Sequence, residues 1–180
     1  MVYIMLADGF EIVEALAPAD ILKRAGAKVV TVGVTGKTVA ASCGIKVEAD
    51  ITKDQLMLSD DIELLMLPGG MPGTNNLDAD STVHKAIEYC VSKGKFVAAI
   101  CAAPKVLGRM GLLKGRKATC FPGFENDLIG AELTGLKAVR DGQFITGKGA
   151  GAALEFGFAL TEALYGKAKA DEVAVKMMYK

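Results

Sequence analysis

Cys101 is the residue of this chain best placed to do chemistry. It ends the apolar run Phe96-Val97-Ala98-Ala99-Ile100 and is followed by Ala102, Ala103 and Pro104. A run without polar alternation reads as a parallel strand covered on both faces. A proline, with no N–H to lose, suits the first turn of a helix. The spacing therefore predicts a strand-to-helix elbow with Cys101 at its tip. Unpaired N–H groups and the macrodipole at a helix start favour a thiolate, so the thiol is expected below its free pKa of about 8.5. The competing reading is a small buried core thiol.

Other chemistry-bearing residues fall at strand ends, where open parallel sheets bind ligands. The segment Asp8-Gly9-Phe10-Glu11-Ile12-Val13-Glu14 follows one apolar run, PGGMPG (68–73) a second, and GKGAGA (147–152), with Lys148 and Gly149, a third. Gly69 and Gly70 would let backbone N–H groups approach an oxyanion without a Cβ in the way, or would simply make a turn. Glu14 falls in a first helical turn and would reach Cys101 if their strands are neighbours. A helix dipole favours a glutamate there whatever its chemistry, and Glu11 competes one turn earlier. His84 is the single histidine, the usual base for a nucleophilic cysteine. The stripe Val83, Ala86, Ile87, Cys90 and Val91 leaves it on the wet face of a helix and Cys90 in the core. GQFITGKG (142–149) approaches a phosphate-binding loop but has a strand in its middle and no final hydroxyl. Gly147-x-Gly149-x-x-Ala152 loosely fits a dinucleotide fingerprint, yet too little chain follows for a βαβ unit. No metal site and no cofactor are expected.

The elements that must position these residues alternate. Strand-like runs cover Val2–Leu6, Lys28–Val34, Ile62–Leu67, Lys95–Ile100 and Gln143–Thr146. Helical periodicity covers Glu11–Ala25, with Pro18 inside, Ser81–Lys93, Pro104–Met110, Ala150–Tyr165 and about Asp171–Met177. This order predicts an α/β fold, a doubly wound and mostly parallel sheet sandwiched by helices, with one domain over residues 1–180. The stretch Val34–Glu48 reads as a β-rich excursion toward an edge or a subunit contact. Hydrophobic residues make up 51% of the 180, enough to fill a sizeable core. The 21 basic and 21 acidic residues cancel without a like-charge block, which argues against nucleic-acid or membrane partners and for a small one. Four cysteines without CxxC spacing read as reduced thiols of a cytoplasmic protein.

The segments LADGFEIVEAL, PGGMPG, AAICAAP, TCFP and GKGAGAALEFG, in this order and at these separations, closely resemble the DJ-one/ThiJ/PfpI superfamily over nearly the whole chain. The resemblance implies a flavodoxin-like sandwich, usually a homodimer, with Cys101 as the reactive elbow cysteine. It implies that Glu14 hydrogen-bonds the sulfur, that Gly70 and Ala102 give backbone donors around it, and that Arg24 lies near the pocket and dimer interface. Two positions depart from the pattern. Phe121 in TCFP replaces a histidine, as in some bacterial members, so no Cys–His dyad is available and proteolysis is disfavoured. Cys43 in SCG replaces an arginine contributed across the dimer, which by the resemblance implies the loss of an anion-binding cation from the partner's pocket and a second thiol in its place. A cysteine with only a carboxylate partner suits reversible addition to small aldehydes or stepwise oxidation. The resemblance thus implies a stress-response protein acting on α-oxoaldehydes such as methylglyoxal or on their adducts with proteins, as a glyoxalase or deglycase. The alternative is a non-enzymatic redox sensor or chaperone with Cys101 oxidised to sulfinate.

Overall fold

The computed structural model describes residues 1–180. The first half of the chain forms β1 (Val2–Leu6), α1 (Ile12–Arg24), β2 (Val29–Gly33), β3 (Thr38–Ala40), β4 (Lys46–Glu48), β5 (Ile51–Thr52), β6 (Leu64–Leu67), α2 (Gly73–Ala79) and α3 (Ser81–Ser92). The second half forms β7 (Phe96–Ile100), α4 (Pro104–Arg109), β8 (Lys117–Ala118), β9 (Glu132–Leu133), β10 (Ala138–Asp141), β11 (Phe144–Gly147), α5 (Ala153–Tyr165) and α6 (Lys167–Lys176). Seven strands make one sheet in the order β10-β11-β7-β6-β1-β2-β5, parallel except for β10 against β11. The expected doubly wound sandwich is the observed one.

Strand alternation divides the core in two. Val2, Ile4 and Leu6 of β1 point to the layer with Ala15, Ala19 and Leu22 of α1 and Phe156 and Leu160 of α5. Tyr3 and Met5 point to the layer with Leu77, Val83, Ile87, Val106 and Leu107 from α2, α3 and α4. Both faces of the sheet are covered, which is why the central strands read as unbroken apolar runs. α1 runs through Pro18 without breaking and packs on α5 where Gly157 leaves room. A β-carbon on Gly157 would stand 2.6 Å from Ile21 Cδ1 and 3.1 Å from Pro18 Cα.

Three differences from expectation have physical causes. The terminal helix starts at Lys167, after Gly166 turns the chain with φ +85°. A helix over Gly73–Ala79 follows PGGMPG, where its glycine and two asparagines give no apolar stripe. β10 pairs with β11 through a tight turn at Gly142, and its mixture of Arg140 and Asp141 with Val139 hides an edge strand. The excursion after β2 is the β3–β4 hairpin. It folds back on the loop after β1, with Gly9 N–H donating to Ala40 O and Ser42 N–H to Phe10 O.

Candidate active site

The sheet order reverses at β1 and β6: from β1 the chain proceeds outward to β2 and β5, and from β6 to β7 and β11. The crevice beyond such a switch point is where α/β sheets bind ligands. Here it holds Glu14, the Gly69-Gly70 loop and Cys101. The strands carrying Glu14 and Cys101 are not neighbours, contrary to the simplest expectation, because β6 lies between them. Gly69 closes the gap. A β-carbon on it would fall 2.6 Å from Cys101 Cβ and 2.6 Å from Glu14 Oε2, so any side chain there would part the two groups. Gly70, at φ +89°, lies against the backbone of Gly9 and Glu11.

Cys101 leaves β7 with φ +65°, a left-handed conformation that costs a non-glycine residue about 1–2 kcal/mol. Its N–H donates to Gly147 O at 2.9 Å, and its own carbonyl accepts the Phe121 N–H at 2.8 Å. The elbow is thus held by β11 on one side and the 119–122 turn on the other. Pro104 opens α4 as expected.

Glu14 is completely buried. Its Oε2 accepts the Gly69 N–H at 2.9 Å, while Oε1 has no nitrogen or oxygen partner. The side chain it meets is Cys101. Burial pushes the Glu14 carboxyl up to about 7, against the pull of its hydrogen bonds from Cys101 and Gly69. The Cys101 thiol is pushed up to about 12, first by burial, then by the charge and hydrogen bond of Glu14. The backbone N–H groups of Ala102 and Gly70 act in the opposite sense on the sulfur. The expected depressed thiol is overturned, because desolvation and a facing carboxylate outweigh two N–H donors and the six-residue α4. What the pair offers instead is a thiol beside a carboxylate that titrates near neutrality, a match for general acid–base work at cellular pH.

The other candidates separate clearly. Glu11 accepts from Ser42 Oγ at 3.0 Å and so faces the β3–β4 hairpin. Cys43 is exposed in the turn of that hairpin. Arg24 pairs with Asp20 at 2.7 Å in the last turn of α1, the end of that helix opposite Glu14, and within this chain no contact joins it to Cys101. His84 Nε2 lies 2.7 Å from the Asp78 carbonyl, so it is tied to the end of α2 rather than freely solvated. Cys90 and Cys120 are buried, and burial pushes each up to about 11. Phe121 is half exposed, with its ring 3.2 Å from where a Gly149 β-carbon would be. Lys148 Nζ donates to Gly135 O at 3.3 Å. Phe121, Lys148 and Gly149 line a cleft of about 410 Å³ beside the elbow. A cleft of about 460 Å³ beyond β2, among Thr35, Lys53, Asn76 and Asp80, contains no cysteine. Gly147, which the sequence marks only as the start of a glycine-rich strand end, acts through its backbone carbonyl, the acceptor for the Cys101 N–H.

Known proteins resemble this chain in sequence and in fold. The family model described as DJ-1/PfpI family matches residues 1–163. The chain is 36% identical over 174 residues to Protein dj-1beta of Drosophila melanogaster, covering 95% of this chain and 92% of that one. The crystal structure of that protein superposes with a TM-score of 0.91 at 35% identity, over 98% and 96% of the two chains. An oxidized Toxoplasma gondii DJ-1 gives a TM-score of 0.93 at 31% identity, over 98% and 97%. Deglycase PH1704 of Pyrococcus horikoshii is 33% identical over 152 residues, 82% of this chain and 89% of its own. With its flavodoxin-like sheet and elbow cysteine, the chain belongs to the DJ-1/PfpI family.

Proposed function

We propose that this protein is a cytoplasmic stress-response enzyme whose Cys101 acts on α-oxoaldehydes such as methylglyoxal, free or as adducts on proteins. The observation that carries the reading is the fully buried Glu14, anchored through Oε2 by the Gly69 N–H and facing the Cys101 side chain. The name of the Pyrococcus horikoshii relative, a deglycase, supports the same chemistry.

In the proposed reaction Glu14 takes the thiol proton as sulfur adds to the aldehyde carbon, the carbonyl electron pair moves to oxygen, and Glu14 passes that same proton to the alkoxide, which leaves the carboxylate ionised for the next step. Gly70 and Ala102 N–H groups offer donors beside the reacting centre. Glu14 then moves a proton from the first carbon to the second through an enediol, so that the aldehyde carbon is oxidised to a thioester and the ketone carbon reduced to an alcohol. Water cleaves the thioester, releases the 2-hydroxy acid and restores the thiol. Methylglyoxal plus water becomes lactate without an external oxidant or reductant. A protein carbinolamine or hemithioacetal would first revert, its C–N or C–S bond breaking as the hydroxyl proton passes to the departing nitrogen or sulfur, and the aldehyde so released would add to Cys101 in the same way.

Appearance of lactate from methylglyoxal is the test. The reading requires turnover by the wild type and none by Cys101→Ala, and equal rates for both would reject it. A second reading, a redox sensor in which Cys101 becomes a sulfinate, is favoured by the oxidized state named for the Toxoplasma gondii relative and by the two N–H groups at the sulfur. Peroxide-dependent sulfinylation of Cys101 in a protein that fails to turn over methylglyoxal would select it.

The active assembly is proposed to be a homodimer. Val13 and Leu16 on α1 and Ile45 on the β3–β4 hairpin are 39%, 37% and 56% exposed, an apolar face suited to a second copy.

A further inference from the structure

The cleft beside Cys101 is joined to the elbow by backbone on two sides. Phe121 lines it and donates its N–H to the Cys101 carbonyl at 2.8 Å. Lys148 lines it and follows Gly147, which accepts the Cys101 N–H at 2.9 Å. Cys101 itself is not part of the cleft wall; what ties the two together is this pair of backbone hydrogen bonds.

Two cations line this cleft, and their circumstances differ. Lys137 is paired with Glu155. Lys148 is paired with no carboxylate, and its only hydrogen bond is the 3.3 Å contact to the Gly135 carbonyl. Glu125 lines with Lys148 a smaller adjoining cleft of about 130 Å³ but forms no ion pair with it, and its carboxylate accepts the Gly123 N–H at 2.6 Å. The remaining walls, among them Phe121, Pro122 and Gly149, carry no charge. An uncompensated ammonium on a mostly apolar cleft next to a nucleophile attracts an anionic group carried by the substrate.

We propose that Lys148 forms a carboxylate subsite, which makes Cys101 selective for carbonyl substrates that bear a carboxylate within a few bonds of the reactive carbon. This deepens the α-oxoaldehyde reading by naming the substrate class, and rests on it for turnover. The charge preference itself is readable without turnover.

Alkylation provides that separation. Iodoacetate and iodoacetamide both lose iodide to a thiolate and form the same C–S bond, but only iodoacetate carries a carboxylate. Rates at Cys101, resolved by peptide mass spectrometry, give an iodoacetate-to-iodoacetamide ratio in which changes in the thiol itself divide out. The ratio is expected to fall about threefold in Lys148→Gln, and further in Lys148→Glu, and to be kept in Lys148→Arg. The ratio at Cys101 of the urea-unfolded protein serves as the reference and should not move between variants. An unchanged ratio at Cys101 of folded Lys148→Gln, or a fall equally present in the unfolded chain, overturns the subsite. If the ratio falls but no α-oxoaldehyde is turned over, the subsite stands and the enzymatic reading fails. If methylglyoxal is turned over but the ratio is flat, the enzyme stands and the subsite fails.

Discussion

At the scale of single residues, the site is a contest between burial and proximity. Glu14 gives up water entirely and gains in return one backbone N–H, from Gly69, and the Cys101 side chain. Its folded pKa near 7 lies above the ordinary 4.5, so the folded state holds this proton more tightly than the unfolded chain. Stability from this source is present in full below about pH 4.5 and is lost as the pH rises through about 7. Glu14→Gln removes the penalty. Measured against this variant by urea unfolding, the wild type should lose roughly 3 kcal/mol between pH 4.5 and 8, and parallel curves would show that the carboxyl is not desolvated. Gly69 makes the opposite point, because an atom is needed not to be there. Gly69→Ala should cost about 1–3 kcal/mol through contacts with the Ile100 carbonyl, Cys101 and Glu14, and should lower Cys101-dependent activity. A variant with wild-type stability and rate would mean that the Glu14–Cys101 spacing is not set by this loop.

At the scale of elements, β7 and α4 place the sulfur, while α1 places the carboxyl. α1 is located by β1 and by its contact with α5 at Gly157. Gly157→Val should force the two helices apart, with a loss of about 1–3 kcal/mol by thermal or denaturant unfolding. If stability is unchanged, the close approach does not hold α1. The strand-to-helix elbow was legible because an unbroken apolar run and a proline mark both of its sides. Glu14 was not decided by its position alone, since a first-turn glutamate satisfies a helix dipole equally well; only the resemblance, and then the Glu11–Ser42 bond, separated the two carboxylates. The thiol's protonation was misjudged from local sequence, because its largest cause is burial by residues distant in the chain. β10 and α2 stayed hidden for want of hydrophobic periodicity. The hairpin after β2 was visible as extended chain, but its return onto the Asp8–Glu11 loop depends on hydrogen bonds such as Asp8 Oδ1 with Ala40 N–H.

At the scale of the whole molecule, three adjacent strand ends at the switch point bring together groups from residues 14, 69–70 and 101. No helix is long and apolar enough to cross a membrane. If α1 and the hairpin form the proposed dimer face, sedimentation at micromolar concentration should give a dimer for the wild type and a monomer for Leu16→Asp, whereas a monomeric wild type would refute that face. In the proposed reaction the reactive unit is Cys101 with Glu14 as its base, and the direct test of that pairing is the pH dependence of kcat/KM for methylglyoxal. The wild type should rise with a midpoint near pH 7, following ionisation of Glu14. Glu14→Gln should be about 10²–10⁴-fold slower, with that midpoint gone. A Glu14→Gln enzyme that keeps both the rate and the midpoint near 7 would contradict the pairing.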